Sequence, residues 1–272
     1  MLSDYSNKET AVAWVEVNGI DIHYSEAGSG QPLLFLHGSG SCAENWHRQL
    51  AEFKSDHRVI TYSSVNHGHS SNSPRNEPEP DRADELEGVI ANLGIERPII
   101  SGHSMGGATV VRWACRHPSE ARALIVSGMG IARDGSGTPR PVKQIEMEQI
   151  FIPANDGVFT EELFRTNPRE AERYMRLKST ATRIEAQRHP REASYANPSR
   201  DPSELAKLAR GIRSPMLIVV GSLDVQLEPA KHLHELVPNS RLAVMEGYAH
   251  NAYYQDWAGF NRIVREFIAS LS

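Results

Sequence analysis

The residues best suited to chemistry form a Gly-X-Ser-X-Gly pentapeptide, Gly102-His103-Ser104-Met105-Gly106. The apolar run at 98–100 leads into it and is typical of the end of a short buried strand. Apolar residues at helical spacing follow from Ala108 to His117. A serine on a sharp strand-to-helix turn presents its hydroxyl to a substrate, and glycines beside it let the backbone double back. The pattern therefore predicts that Ser104 is a nucleophile.

Two later residues are candidates for the partners that this serine needs. A serine hydroxyl is a weak nucleophile until a base takes its proton and an acid orients that base. On such a turn the partners follow in the order acid, then histidine, each after a later strand. Asp224 follows the strand predicted at 215–220, and His250 follows the strand predicted at 241–245. We predict that His250 is the base and Asp224 the orienting acid. The alternatives are a surface loop histidine and an aspartate that caps the next helix, although Glu228 is better placed to cap it.

Acyl transfer also requires N–H donors for the oxygen of the attacked carbonyl. The Met105 N–H opens the predicted helix after the nucleophile and meets this need. The loop after the apolar strand at 33–36 offers a second donor. We predict Ser39 for that role, with Gly40 as the alternative. His37 is interpreted as a residue that turns this loop rather than as a base.

Eight predicted strands must position these residues. A hairpin around Asn18-Gly19 supplies the first two strands. The other six alternate with helical patterns, which indicates a mostly parallel α/β sheet flanked by helices. They lie at 33–36, 58–62, 98–100, 123–127, 215–220 and 241–245, and helices are predicted at 43–54 (with Trp46, Leu50 and Phe53 buried), from Asp81 to Leu93, at 228–236 and at 256–271.

The alternation stops between residues 131 and 213, where no strand is evident and prolines interrupt polar helical patterns. We predict that residues 1–130 and 214–272 form a core domain. Residues 131–213 are then an inserted helical cap over the carboxyl ends of the strands, where open α/β sheets bind their ligands.

The composition excludes several function classes. The 272 residues are 39% hydrophobic and 23% charged, as in an ordinary globular protein. No stretch approaches the roughly 18 apolar residues of a membrane span, and the first ten residues lack the apolar region of a secretory signal. Two cysteines, Cys42 and Cys115, make no disulfide framework, so a cytoplasmic location is expected.

The charge and the motifs limit the partners. The net charge of −5 argues against a nucleic-acid partner. No Cys/His spacing suggests zinc and no glycine-rich loop suggests phosphate binding, so neither a metal nor a cofactor is expected. The expected partner is a small-molecule substrate, with no membrane contact, and the sequence leaves the oligomeric state open.

The set of motifs resembles the α/β-hydrolase fold family from about Val12 to the C-terminus. The resemblance lies in His37-Gly38, the segment 102–107, Gly221-X-X-Asp224 and His250. It implies a serine hydrolase that forms an acyl-enzyme. Within the family the chain looks most like the meta-cleavage-product hydrolases, which break a carbon–carbon bond in dienoic keto acids. That likeness rests on residues 37–40 and 104–109 and on Thr160-Glu161-Glu162-Leu163 in a cap of similar size.

The chain departs from those hydrolases at positions that read the substrate. Ser41-Cys42 replaces a Pro-Gly, His103 replaces an asparagine, and Asn251-Ala252-Tyr253 replaces a tryptophan after the catalytic histidine. The leading substrate class is therefore a carboxylic ester or lactone, and the carbon–carbon reaction is second. A small-molecule binding protein without turnover on the same fold is the alternative from another class.

The residues expected to contact the substrate lie on both sides of the site. Gly40 and His103 are candidates from the core. The resemblance implies a cap arginine that holds a carboxylate, and Arg165 and Arg169 lie near its expected place. Residues 131–213 carry 15 Lys and Arg against 12 Asp and Glu, a net +3, whereas the remainder carries −8. A basic cap suits an anionic substrate, although a solvated surface gives the same surplus.

Overall fold

Eight strands form a single sheet in the computed structural model, which describes residues 10–73, 81–133, 159–177 and 202–271. The order across the sheet is β1-β2-β4-β3-β5-β6-β7-β8. The pairs β1–β2 and β2–β4 are antiparallel, and every other pair is parallel. The predicted mostly parallel, eight-stranded α/β sheet is confirmed. The strands are β1 (Ala11–Val17), β2 (Ile20–Ala27), β3 (Gln31–Leu36), β4 (His57–Tyr62), β5 (Ile99–His103), β6 (Ala123–Ser127), β7 (Met216–Gly221) and β8 (Ser240–Met245).

The helices connect these strands. They are a 3₁₀ turn (Ala43–Trp46), α1 (His47–Phe53), α2 (Arg82–Asn92), α3 (Met105–Arg116), α4 (Glu161–Thr166), α5 (168–177), α6 (Pro202–Ala209), α7 (Leu227–Leu236), α8 (Ala252–Gln255) and α9 (Trp257–Ala269).

Local signals in the sequence set several element boundaries. Asn18 and Gly19 have φ angles of 52° and 76°, and Val17 pairs with Ile20 across the turn, as expected for a two-residue hairpin. Asp81 caps α2 by accepting a hydrogen bond from the Ala83 N–H. Asp256 caps α9 in the same way through the Gly259 N–H.

Side chains of the sheet alternate between two buried clusters, one on each face. On β3, Leu34 and Leu36 belong to the cluster that also holds residues of α2, α3, α6 and α7. Leu33 and Phe35 belong to the other, which holds residues of α1, α8 and α9. A strand covered on both faces reads as a continuous apolar run, which is the pattern at 33–36.

The helix predicted at 43–54 differs in detail from the structure. It divides into the 3₁₀ turn and α1, and Leu50 is half-buried, whereas Trp46 and Phe53 are fully buried. The 3₁₀ turn buries the Asn45 side chain. A prediction of one continuous helix with its buried face on residues 46, 50 and 53 does not include this burial.

The described parts of the predicted cap behave in two ways. The helix α6 packs against α3 and α7, and Ala209 is fully buried in the first cluster, so α6 is part of the helical layer of the core. Helix α5 and the residue Phe159, which precedes α4, instead contact α8: Phe159 and Tyr174 pack on Tyr254, with ring centroids 5.8 and 4.8 Å away. The rest of the predicted cap, 134–158 and 178–201, lies outside the described residues.

We predict that Trp46→Ala lowers the free energy of unfolding by about 3–5 kcal/mol, the usual cost of deleting a buried aromatic side chain. Trp46 is fully buried, and its ring lies 4.9 Å from Phe35 and 4.4 Å from Tyr253. The control is Trp14→Ala, because Trp14 is 57% exposed on β1. Urea unfolding should give a loss of about 0.5 kcal/mol or less for the control. Equal losses in the two variants would contradict the packing described.

Candidate active site

Ser104 lies on the turn between β5 and α3 in a strained backbone conformation. Its φ and ψ are 52° and −111°, a region that non-glycine residues seldom adopt. Two hydrogen bonds hold the turn: the Ser104 N–H donates to the Ser127 carbonyl at 2.8 Å, and the Gly106 N–H donates to the His37 carbonyl at 3.1 Å. The nucleophile turn is therefore fixed to the ends of β6 and β3.

Steric overlap excludes any side chain at the two glycines of the pentapeptide. A Cβ on Gly102 would lie 2.3 Å from the Gly106 carbonyl oxygen. A Cβ on Gly106 would lie 2.5 Å from the Leu36 carbonyl oxygen. The backbone doubles back so closely that no side chain fits at either place, as the sequence predicts.

Ser104, His250 and Asp224 form a continuous row of hydrogen bonds. His250 Nε2 lies 3.0 Å from Ser104 Oγ, and His250 Nδ1 lies 2.9 Å from Asp224 Oδ2. The Asp224 side chain is fully buried, and its second oxygen accepts the Gln226 N–H at 3.0 Å. Glu228 instead contacts Lys231 at 2.6 Å on the exposed side of α7, and no side chain caps that helix.

This row fixes what each group can do. A neutral His250 that donates Nδ1–H to Asp224 leaves its Nε2 lone pair for the Ser104 hydroxyl proton. The imidazole can then take that proton as Ser104 attacks, and the buried carboxylate stabilises the positive charge that develops.

The loop after β3 passes directly over the nucleophile. A Cβ on Gly38 would lie 3.3 Å from Ser104 Cβ, so the backbone of this loop is close to the reacting group. Ser39 is exposed and Gly40 is buried. Neither the Ser39 N–H nor the Met105 N–H donates to another group within the described ranges.

His37 supports this loop from behind. Its Nδ1–H donates to the Gly38 carbonyl at 2.8 Å, and its Nε2 accepts the Ser64 N–H at 3.0 Å. Burial lowers the pKa of His37 to about 4, so the ring is neutral near pH 7. These contacts agree with a residue that turns the loop.

His103 does not lie where its predicted role as a substrate contact requires. It is 1% exposed, and its ring packs between His250 and Tyr253, with centroids 4.8 and 4.4 Å away. Its Nε2 lies 2.8 Å from Asn251 Oδ1. Its prediction as a substrate-binding residue is corrected accordingly.

The two predicted cap arginines are both exposed. Arg165 pairs with Glu162 at 3.8 Å on the outer side of α4, and Arg169 lines an open depression on α5. Arg173 is the half-buried arginine among the described cap residues. The sequence analysis missed it, although Ala171 and Tyr174 mark the buried face of α5 beside it.

Arg173 reaches toward the loop that follows Ser39. Its Nη2 donates to the Glu44 carbonyl at 3.0 Å, and its guanidinium also interacts with the Tyr254 side chain. Burial, and next the Arg173 charge, lower the pKa of His47 to about 4. A guanidinium that is partly shielded from solvent is suited to a bound anion.

The described residues offer neither a metal site nor a membrane span. Within the described ranges, no three His, Cys, Asp or Glu side chains are grouped so that they could hold a metal ion. No helix in the same part of the chain is long and apolar enough to cross a membrane.

A mostly parallel sheet of this order, with a strained serine turn after its central strand, defines a class of hydrolases. A family model described as "alpha/beta hydrolase fold" matches residues 31–256. The chain belongs to the α/β-hydrolase fold family, and it is a hydrolase.

The proteins to which the chain is similar include hydrolases and a lactonase. The chain is 30% identical to the 2-hydroxy-6-oxononadienedioate/2-hydroxy-6-oxononatrienedioate hydrolase 2 of Pseudomonas putida over 92% of each chain. It is 26% identical to the 2-hydroxy-6-oxo-6-phenylhexa-2,4-dienoate hydrolase of Comamonas testosteroni, over 97% of this chain and 96% of that one. The enol-lactonase from Burkholderia xenovorans LB400 has a similar structure, with a TM-score of 0.76 at 22% identity over 94% of this chain and all of that one.

We predict that Asp224→Asn lowers kcat about 10⁴-fold while the free energy of unfolding changes little, because an amide holds the imidazole in the wrong tautomer. Glu228→Gln is the matched control, since it alters a neighbouring carboxylate that pairs with Lys231. Steady-state kinetics with an activated ester measure both. If Glu228→Gln lowers kcat strongly while Asp224→Asn has a mild effect, Glu228 rather than Asp224 is the acid.

Proposed function

We propose that this protein hydrolyses a carboxylic ester or lactone of a small organic substrate through an acyl-enzyme on Ser104. The observation that carries the proposal is the unbroken row from Ser104 Oγ through His250 to the buried Asp224, with contacts of 3.0 and 2.9 Å. These are hydrogen-bond distances suited to proton transfer.

The reaction has two halves. Ser104 Oγ attacks the carbonyl carbon, and its proton passes to His250 Nε2. The N–H groups of Met105 and Ser39 hold the oxyanion. His250 then gives the proton to the alkoxide as its bond to the carbonyl carbon breaks. The alcohol of an ester departs, whereas that of a lactone stays attached to the acyl group on Ser104. In the second half, His250 takes a proton from water, the resulting hydroxide displaces the acyl group as a carboxylic acid, and Ser104 recovers its proton.

Carbon–carbon bond hydrolysis of a dienoic keto acid is the second candidate. The relatives from Pseudomonas putida and Comamonas testosteroni favour it, because their names describe hydrolases of such acids. The pairing of His103 with Asn251 favours the ester, since these residues stand where that subfamily has residues that read the substrate, and here they contact each other. A kcat/KM panel of esters, lactones and dienoic keto acids separates the two candidates.

The helical cap forms the roof of the proposed site. Phe159 and helix α5 support this idea, because Phe159 and Tyr174 rest on Tyr254, four residues after His250. A roof excludes water and shapes substrate specificity, while the reacting groups come from the core.

We propose that the substrate is anionic and that Arg173 binds its carboxylate. A cytoplasmic location is part of this proposal, since Cys42 and Cys115 are free thiols.

Replacing Ser104 by alanine should reduce turnover by about 10⁶-fold, the usual loss for a nucleophile that acts as a unit with its base. The variant should keep its fold and bind substrate, because only one oxygen atom is removed. Turnover of esters and circular dichroism measure the two effects. Near-normal turnover in Ser104→Ala would remove this serine from the mechanism.

Arg173→Ala should lower kcat/KM for an anionic ester. The expected loss of transition-state stabilisation is about 1.5–3 kcal/mol, the strength of a hydrogen bond to a charged group. A matched neutral ester should lose little, which separates recognition of the anion from the lost contact with Glu44. Arg165→Ala is the control, because its side chain is 76% exposed. The same loss on both esters would make Arg173 a structural residue only.

A further inference from the structure

We propose that His103 and Asn251 act as a pair of positioning residues that hold His250 against Ser104. His103 directly precedes the nucleophile in the chain, and Asn251 directly follows the histidine. Their side chains meet, with His103 Nε2 2.8 Å from Asn251 Oδ1. The role rests on the proposed function, since it serves the transfer of the Ser104 proton to His250.

The tautomer of His103 follows from its two contacts. Nε2–H donates to the Asn251 amide oxygen, and Nδ1 accepts from the Ser127 hydroxyl at 3.3 Å. Ser127 is also the β6 residue paired with His103 in the sheet. The imidazole is thus anchored to the rigid centre of the sheet at one nitrogen and reaches the loop of His250 with the other.

The surroundings leave His103 little freedom to move. A Cβ on Gly128 would lie 2.7 Å from His103 Cε1, and a Cβ on Gly38 would lie 3.0 Å from His103 Cδ2. The His250 ring also packs on His103, at a centroid distance of 4.8 Å. A displacement of the His250 loop relative to the nucleophile turn must therefore break the bond between His103 and Asn251.

Asn251 does not cap a helix with its side chain, although an asparagine at its position commonly does so. It is the N-cap residue of α8, yet its side chain makes no capping bond. The amide oxygen is given to His103, and the Asn251 side chain also interacts with the Tyr174 hydroxyl of α5. The pair thus links the nucleophile turn, the histidine loop and the nearer cap helix at a single side chain.

The test is the rate at which a fluorophosphonate labels Ser104. In this reaction Ser104 Oγ bonds to phosphorus, fluoride leaves, and His250 takes the hydroxyl proton, so the rate reports the position of the base without a known substrate. Asn251→Ala and His103→Asn should each slow labelling about 10- to 100-fold, the range expected for a misplaced catalytic group. His103→Gln should stay within about threefold of the wild-type rate, because its Nε2 amide reaches as far as the imidazole Nε2.

Two further variants separate positioning from packing. The double variant His103→Asn/Asn251→Ala should be no slower than the slower single variant, since both changes break one contact. Asn261→Ala removes another buried amide contact, Gln49 Nε2 to Asn261 Oδ1 at 3.0 Å, and should label at the wild-type rate. Thermal unfolding of each variant shows whether it is folded at the assay temperature.

Three results would overturn the proposal. They are equal labelling of wild type and His103→Asn, equally slow labelling of His103→Asn and His103→Gln, or multiplied losses in the double variant. A wild-type protein that is not labelled at Ser104 would overturn the proposed function and the pair together. Normal wild-type labelling with unaffected variants would overturn the pair alone.

Discussion

The site depends on the close approach of the backbone at the turn between β5 and α3. Ser104 has a positive φ, which costs about 1–3 kcal/mol for a residue with a side chain. Its surroundings must therefore over-determine that conformation. The hydrogen bonds to Ser127 and His37 tie the turn to both neighbouring strands, and Gly102 and Gly106 give the space that those bonds require. Only with this turn in place does the serine hydroxyl stand above the sheet.

The other reacting groups reach the serine because their loops pack on each other. A Cβ on Gly221 would lie 2.2 Å from the Tyr248 carbonyl oxygen, and the Leu223 N–H donates to that oxygen at 2.9 Å. The loops after β7 and β8 thus carry Asp224 and His250 as one unit. The core thus holds these two residues in place, whereas Phe159 and helix α5 rest on Tyr254 of α8.

The sequence predicts the parts of the structure that depend on local rules. The Asn18-Gly19 turn, the Asp81 cap and the spaces at Gly102 and Gly106 each follow from one residue type with one physical reason. The directions of side chains on the cap could not be predicted, because the face of a helix that docks is set by contacts distant in sequence. The place of Arg165 in the chain does not reveal its exposure, whereas the buried Ala171 and Tyr174 leave Arg173 half-buried. The contact of His103 with Asn251 could likewise not be predicted, because the two residues are 148 positions apart in the sequence.

Mass spectrometry of the protein quenched during turnover of an activated ester tests the central claim most directly. The account predicts that the peptide containing Ser104 gains the mass of the acyl group, that proteolytic fragmentation places the group on Ser104, and that it disappears when the ester is consumed. Turnover with no acylated peptide at any quench time, or with the acyl group on another residue, would contradict an acyl-enzyme on Ser104.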